Sequence, residues 1–199
     1  MNHLPEREQK VVVISFLGYF TVPSARFVIK EFGLLSLQLD NKFMGYQLGI
    51  TGVFGPPCDW KELTVVHKNF YNQLKEKHGI PWKLNTFDVN RQKEILENYI
   101  NGTFIYVASP MAKKNLLQII GNSYAEFITC LTDFGFRQNE ILGTDCPYHE
   151  NPENNICAYD YAKKMYQWII ERNIFQNLDM LLPHERSYKL PLPRNQKRK

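Results

Sequence analysis

Two cysteines and a histidine fall within twelve residues: Cys146-Pro147-Tyr148-His149 is followed by Cys157. Two thiolates and an imidazole suit a tetrahedral zinc ion, and a Cys-x2-His gap lets one turn aim two side chains at one point. Pro147, Pro152 and the neighbouring asparagines and acids read as an irregular loop. Cys157 then falls at the start of the last predicted helix, where the helix dipole favours a thiolate. The bland alternative is that all three are small buried loop residues. Three donors leave a fourth position, and Glu31 is the best candidate for it. It sits among apolar residues of a predicted strand, where an unpaired carboxylate is costly unless it is neutralised, paired or bound to a metal. Asp145, Glu150, Cys130 or a water are the other choices. No assembled base and substrate pocket is evident nearby, so the expected centre is a closed, structural Zn2+ site. His67 and His78 have no partners at ligand spacing and read as packing or surface residues.

These residues need a scaffold. Val11–Phe20 is a nearly continuous apolar run, as in a central strand. Arg26–Leu39 alternates, and the alternation puts Phe27, Ile29, Glu31, Leu35, Leu37 and Leu39 on one face, with Gly33 between them. Asp40-Asn41 makes a turn into a glycine-rich third strand, Lys42–Phe54. After Gly55-Pro56-Pro57, Asp59 with Glu62 resembles a capping box. The stripe Trp60, Leu63, His67, Phe70 and Leu74 then predicts a helix that stops at Gly79. A second helix is expected over Asp88–Asn101 and a strand over Thr103–Ala108. Ser109-Pro110 should cap a third helix running to about Gly121. Glu126–Leu131 reads as the fifth strand and Cys157–Asn173 as the last helix, with Tyr161, Met165, Trp168 and Ile169 on one face. The expected fold class is α/β: a three-strand meander, then βαβα units, giving a mixed sheet flanked by helices with the metal knuckle before the last helix. This order resembles the RNase H-like fold in its DEDD-exonuclease form.

Composition frames the same picture. The chain has 199 residues, 44% of them hydrophobic, which is enough for one domain with a real core. The expected division is an N-terminal extension over 1–9, the domain over 10–180 and a basic tail over 181–199. No stretch approaches the roughly 18 apolar residues of a membrane span, and Val11–Phe20 reads as a strand rather than as the core of a signal peptide. Four cysteines are sparse for a secreted disulfide scaffold, so a reducing compartment, cytoplasmic and/or nuclear, is expected. Removing the five basic residues Lys189, Arg194, Lys197, Arg198 and Lys199 takes the net charge from +4 to −1. The body is therefore not a broadly basic nucleic-acid binder. The tail is either an import signal, an RNA-contacting arm or an ordinary basic end.

Phosphodiester cleavage by two divalent ions needs several carboxylates to place them. DEDD exonucleases keep a pair on the first strand, one acid at the helix after the fourth strand and one on the last helix. Here no Asp or Glu occurs from Gln9 to Lys30, and none from Thr103 to Ala125. Lys113 and Lys114 stand at that strand-to-helix junction instead, and Asp160 alone cannot hold two ions.

The strand acid in Lys30-Glu31-Phe32-Gly33, combined with Cys146-x2-His149-x7-Cys157, resembles the Glu-Cys-His-Cys signature of the Maelstrom domain. The resemblance covers roughly residues 10–172, though only these four positions match a motif, and implies a diverged member. It further implies an RNase H-like fold without the exonuclease acids and zinc held by the four residues. By the same resemblance the chain would bind RNA in a germline small-RNA (piRNA) silencing or ribonucleoprotein context, with at most weak ribonuclease activity.

The leading functional expectation is a non-catalytic, zinc-stabilised RNA-binding module. Lys83, Arg91, Lys113 and Lys114 on the body, and Arg194, Lys197, Arg198 and Lys199 in the tail, are its candidate phosphate contacts. A protein-interaction scaffold descended from a degenerate exonuclease is the alternative, with Trp82 and Phe87 as exposed aromatics. A ribonuclease with a rearranged site using Asp160, Glu126, His149 or Asp133 is the third reading.

Overall fold

A computed structural model of the chain describes residues 9–21, 26–40, 43–137, 139, 143–144, 146–151 and 153–174, with the backbone alone at 9, 38–40 and 43–47. Asp145 and the basic tail lie outside the described residues, as do most of the N-terminal extension and the side chain of Leu39.

The core is a five-stranded mixed sheet of order β3-β2-β1-β4-β5. Strands β1 (Gln9–Phe20), β2 (Phe27–Asp40) and β3 (Phe43–Val53) form an antiparallel meander. Strand β4 (Phe104–Val107) pairs parallel to β1, and β5 (Ile128–Cys130) parallel to β4. Apolar side chains on both faces of β1 are why that strand reads as an unbroken hydrophobic run. Val12 and Ile14 pack with α2 (Gln92–Ile100) and α3 (Pro110–Ile120) on one side. Val11 and Val13 pack with α4 (Ala158–Glu171) on the other. Helix α1 (Val65–His78) sits at the Tyr19 end of β1, over a third cluster of Tyr19, Val28, Tyr71 and Trp82. Among the described residues no helix is long and apolar enough to cross a membrane.

Strand β2 departs from its predicted alternation. Leu17 pairs with Glu31 but Gly18 pairs with Ile29, so Lys30 is an extra residue, a β-bulge. The bulge reverses the faces. Phe27 and Ile29 join Phe32 and Leu34 against the α2–α3 side, whereas Leu35 and Leu37 face α4. Glu31 therefore shares its face with Leu35 and Leu37 but not with Phe27 and Ile29.

The first helix also begins later than its pattern suggested. Asp59 precedes a single 3-10 turn, Trp60–Glu62, and its side chain caps nothing. Leu63 is extended, and the Thr64 hydroxyl is the cap, accepting from the His67 amide. The buried face of α1 is Tyr71 and His78, and Phe70 is exposed. The stop at left-handed Gly79 holds. The second helix is preceded by a 3-10 turn over Val89–Arg91, and β5 by another over Asn122–Phe127. The Ser109 cap and Pro110 start of α3 are as read from the sequence.

Candidate metal centre

Three elements bring the four predicted ligands together. Strand β2 supplies Glu31, the loop before α4 supplies Cys146 and His149, and Cys157 is the N-cap residue of α4. One ligand atom from each lies within 4.8 Å of all the others, and Glu31, His149 and Cys157 are buried. Around Glu31 Oε1 the separations are 3.1 Å to His149 Nε2, 3.3 Å to Cys157 Sγ and 4.0 Å to Cys146 Sγ. The group could hold a metal ion.

Three of the four ligand residues are held by a second contact, as ligands of a built site are. Glu31 Oε2 accepts from the Ala158 amide at the first turn of α4, at 2.9 Å. His149 Nδ1–H donates to the backbone carbonyl of His78, which leaves Nε2 as the ring atom that faces Glu31. The Cys146 amide donates to Thr144 Oγ1 at 3.0 Å, and that hydroxyl donates to Asp160 Oδ2 at 2.5 Å. Gly33 brings α4 close: a Cβ there would run into the backbone of Tyr159.

The loop is anchored on the end of α1. Three successive carbonyls accept from it: Lys77 from the Ile156 amide, His78 from the His149 ring and Gly79 from the Glu150 amide. Asn155 adds its side chain, donating to Lys77 O and accepting from Asn151 N. His78 is a buried packing residue, and its Nδ1 accepts from Ile80 N at 2.9 Å.

Charge in the cluster is shared tightly. Burial pushes the Glu31 carboxyl up to about 7, with the nearby Cys157 sulfur adding to it against the opposing pull of His149. The hydrogen bond between the two cysteines raises Cys146 and lowers Cys157 to about 4, so the pair holds one proton between them. Burial pulls His149 down, but its hydrogen bonds to Cys157 and Glu31 outweigh that and carry it up to about 10. A dication would take the place of these protons.

No protein-family model, no curated protein and no solved structure matches this chain.

The alternative fourth ligands are elsewhere. Cys130 is buried in β5 within the cluster on the α2–α3 side, and Glu150 pairs with Lys75 at 2.9 Å. Asp160 is committed to Thr144 and Lys163. Glu126 and Asp133 are exposed on separate 3-10 segments. The candidate phosphate contacts are spread over several elements. Lys83 follows α1, Arg91 is paired with Glu94 at 2.6 Å, and Lys113 donates to the Ile128 carbonyl at 2.7 Å. Lys114 is exposed on α3. Trp82 and Phe87 are not free aromatics. Trp82 is buried, donating Nε1 to Cys58 O, and Phe87 packs on Phe32 and Phe54.

The sequence gives no warning of Lys30. Its ammonium is buried and donates to three carbonyls, Phe54 O at 3.1 Å, Trp82 O at 2.8 Å and Leu84 O at 2.8 Å. A lysine beside a bulge carries no pattern in one sequence that separates it from a solvated strand lysine.

Proposed function

We propose that this chain is a non-catalytic, RNase H-like module, closed by one structural zinc ion on Glu31, Cys146, His149 and Cys157, that binds RNA. The four-residue group carries the reading. Zinc–ligand bonds of about 2.0–2.3 Å in a tetrahedron require ligand atoms roughly 3.3–3.8 Å apart. The separations of 3.1, 3.3 and 4.0 Å around Glu31 Oε1 lie close to that range. Two sulfurs favour zinc over magnesium or calcium, which prefer oxygen. Four protein ligands leave no open position, the mark of a structural site.

Three observations support the non-catalytic, RNase H-like part, the first its fold and the other two its lack of catalysis. The strand order β3-β2-β1-β4-β5 combines an antiparallel meander with two parallel strands, as that fold does. Strand β1 carries no acid, and neither does the β4–α3 junction. Asp160, the nearest candidate acid, braces the knuckle through Thr144. The Maelstrom-like assignment and its silencing context rest on the same four ligands.

Metal content tests the first part: one zinc per chain in wild type, none in Cys146→Ser and weakened retention in Glu31→Ala. Binding of labelled single-stranded RNA without its cleavage in magnesium or manganese tests the second. Divalent-dependent cleavage abolished by Asp160→Asn would replace this reading with the rearranged nuclease. A protein-interaction scaffold is the second reading. It is favoured by Val65 at 71% exposure, Val66 at 65% and Phe70 at 44%, adjoining one another on α1.

A further inference from the structure

A cleft of about 590 Å3 opens beside α1, away from the four metal-ligating side chains, and six of its lining residues decide its chemistry: Trp60, Lys61, Tyr71, Lys75, Trp82 and Lys83. Its walls are aromatic. Trp82 meets Tyr71 at 4.6 Å and Trp60 at 5.5 Å between ring centroids, both edge to face. Its rim is cationic. Lys75 is neutralised by Glu150, but among the described residues Lys61 and Lys83 have no ion pair, and both are exposed. Asp59 and Asn72 also line the cleft and supply acceptors and an amide donor. An apolar ligand would have no use for the lysines, and a simple anion no use for two indoles. A flat aromatic ring bearing hydrogen-bonding edges and flanked by phosphates uses all of them.

The walls are fixed before any ligand arrives. Lys30 ties Phe54, Trp82 and Leu84 together from behind, Trp82 Nε1 donates to Cys58 O at 3.2 Å, and Tyr71 Oη donates to Ile80 O at 2.8 Å. Little ordering is then left to be lost on binding.

We infer that this cleft binds one nucleotide of single-stranded RNA, its base on the half-buried Trp60 ring that Trp82 and Tyr71 support from behind, and its flanking phosphates on Lys61 and Lys83. The inference rests on the RNA-binding reading above and names the surface responsible.

The test uses the zinc-loaded full chain and a fluorescein-labelled ten-nucleotide oligouridine, titrated by fluorescence anisotropy at several salt concentrations. Trp60→Ala should weaken binding at least about fivefold, the lower end of what one lost base stack costs. Lys61→Gln with Lys83→Gln should flatten the plot of log K against log salt by about 1.4, for two lost phosphate contacts on a single strand. Both lysines are exposed, so this pair tests the site even if Trp60→Ala fails to fold. Lys93→Gln on α2, which does not line the cleft, should leave affinity and slope unchanged, and Lys113→Gln with Lys114→Gln is made as the competing candidate. If wild type binds and the cleft variants bind equally well with the same slope, the cleft is not the site, while the RNA-binding reading stands. Loss of slope in the Lys113 and Lys114 pair instead would move the site to α3. Absence of wild-type binding at low salt overturns both readings and leaves the face to a protein partner.

Discussion

Lys30 and Glu31 are adjacent in β2, are exposed by 1% and 0%, and solve the burial of a charge in opposite ways. The Lys30 ammonium has three N–H donors and meets three backbone carbonyls, so its site is complete within the protein. Burial draws its pKa down to about 8, and at neutral pH it remains protonated. Glu31 is surrounded by two sulfurs and an imidazole, all of them electron-pair donors once deprotonated. Its carboxyl is pushed up to about 7, chiefly by burial, so without a metal this site relies on protons at neutral pH. The bulge at Lys30 makes both sites possible, because it turns Glu31 toward α4. A buried charge thus signals a ligand only when its surroundings cannot balance it.

The largest effect should come from the Glu31 side. Zinc binding to folded structural sites is worth about 10–16 kcal/mol in small zinc-finger peptides. In a domain with its own core we expect part of that, a loss of at least about 4 kcal/mol on chelation or in Cys157→Ser. Thermal melts with and without chelator measure it, and a melting curve indifferent to chelation would erase the contrast between the two residues. Next, Lys30→Met should cost about 3–5 kcal/mol in urea denaturation, because three buried carbonyls lose their donor. Zinc content should stay at one per chain, which separates the two sites.

Gly33→Ala should cost about 1–3 kcal/mol by forcing α4 off β2. It should also weaken zinc retention, since Cys157 and the Glu31-binding Ala158 amide move with that helix.

His78 sharpens the comparison through pH. Burial, with His149 and Lys30 adding to it, lowers its pKa to about 3, against 6.5 for the ordinary group. Between those values the unfolded chain binds a proton that the folded chain refuses. This contribution is whole above pH 6.5 and is lost as the pH falls toward 3. His78→Phe should therefore lose about 2 kcal/mol less than wild type between neutral pH and about 4.5, measured at saturating zinc. The metal ligands are common to both proteins, so parallel curves would mean that His78 is already charged when folded. The smallest effect is expected from Asp160→Asn. The amide keeps an oxygen acceptor for Thr144, so stability should change by no more than about 0.5 kcal/mol and zinc should be retained.

The metal group was legible because its signals are local: a Cys-x2-His turn, a cysteine at a helix start and one acid in an apolar strand. The strands and most helices were legible from periodicity and caps. The bulge was not. Strand β2 is buried on both sides, so apolar residues recur across the bulge and the pattern reads as unbroken. The start of α1 misled because Asp59 and Glu62 have capping-box spacing, while the chain spends that box on one 3-10 turn. The burial of Trp82 depends on Tyr19 and the Cys58 carbonyl, partners too far along the chain for a local window to contain.

The Glu31–Cys157 contact spans 126 positions of sequence. An ion there would act as a reversible cross-link around nearly two thirds of the polypeptide, restricting the chain as a long-loop disulfide would, without needing an oxidising environment to form. With the ion in place, a chain cut between β3 and the knuckle would keep both fragments on one metal, and a chelator would release them.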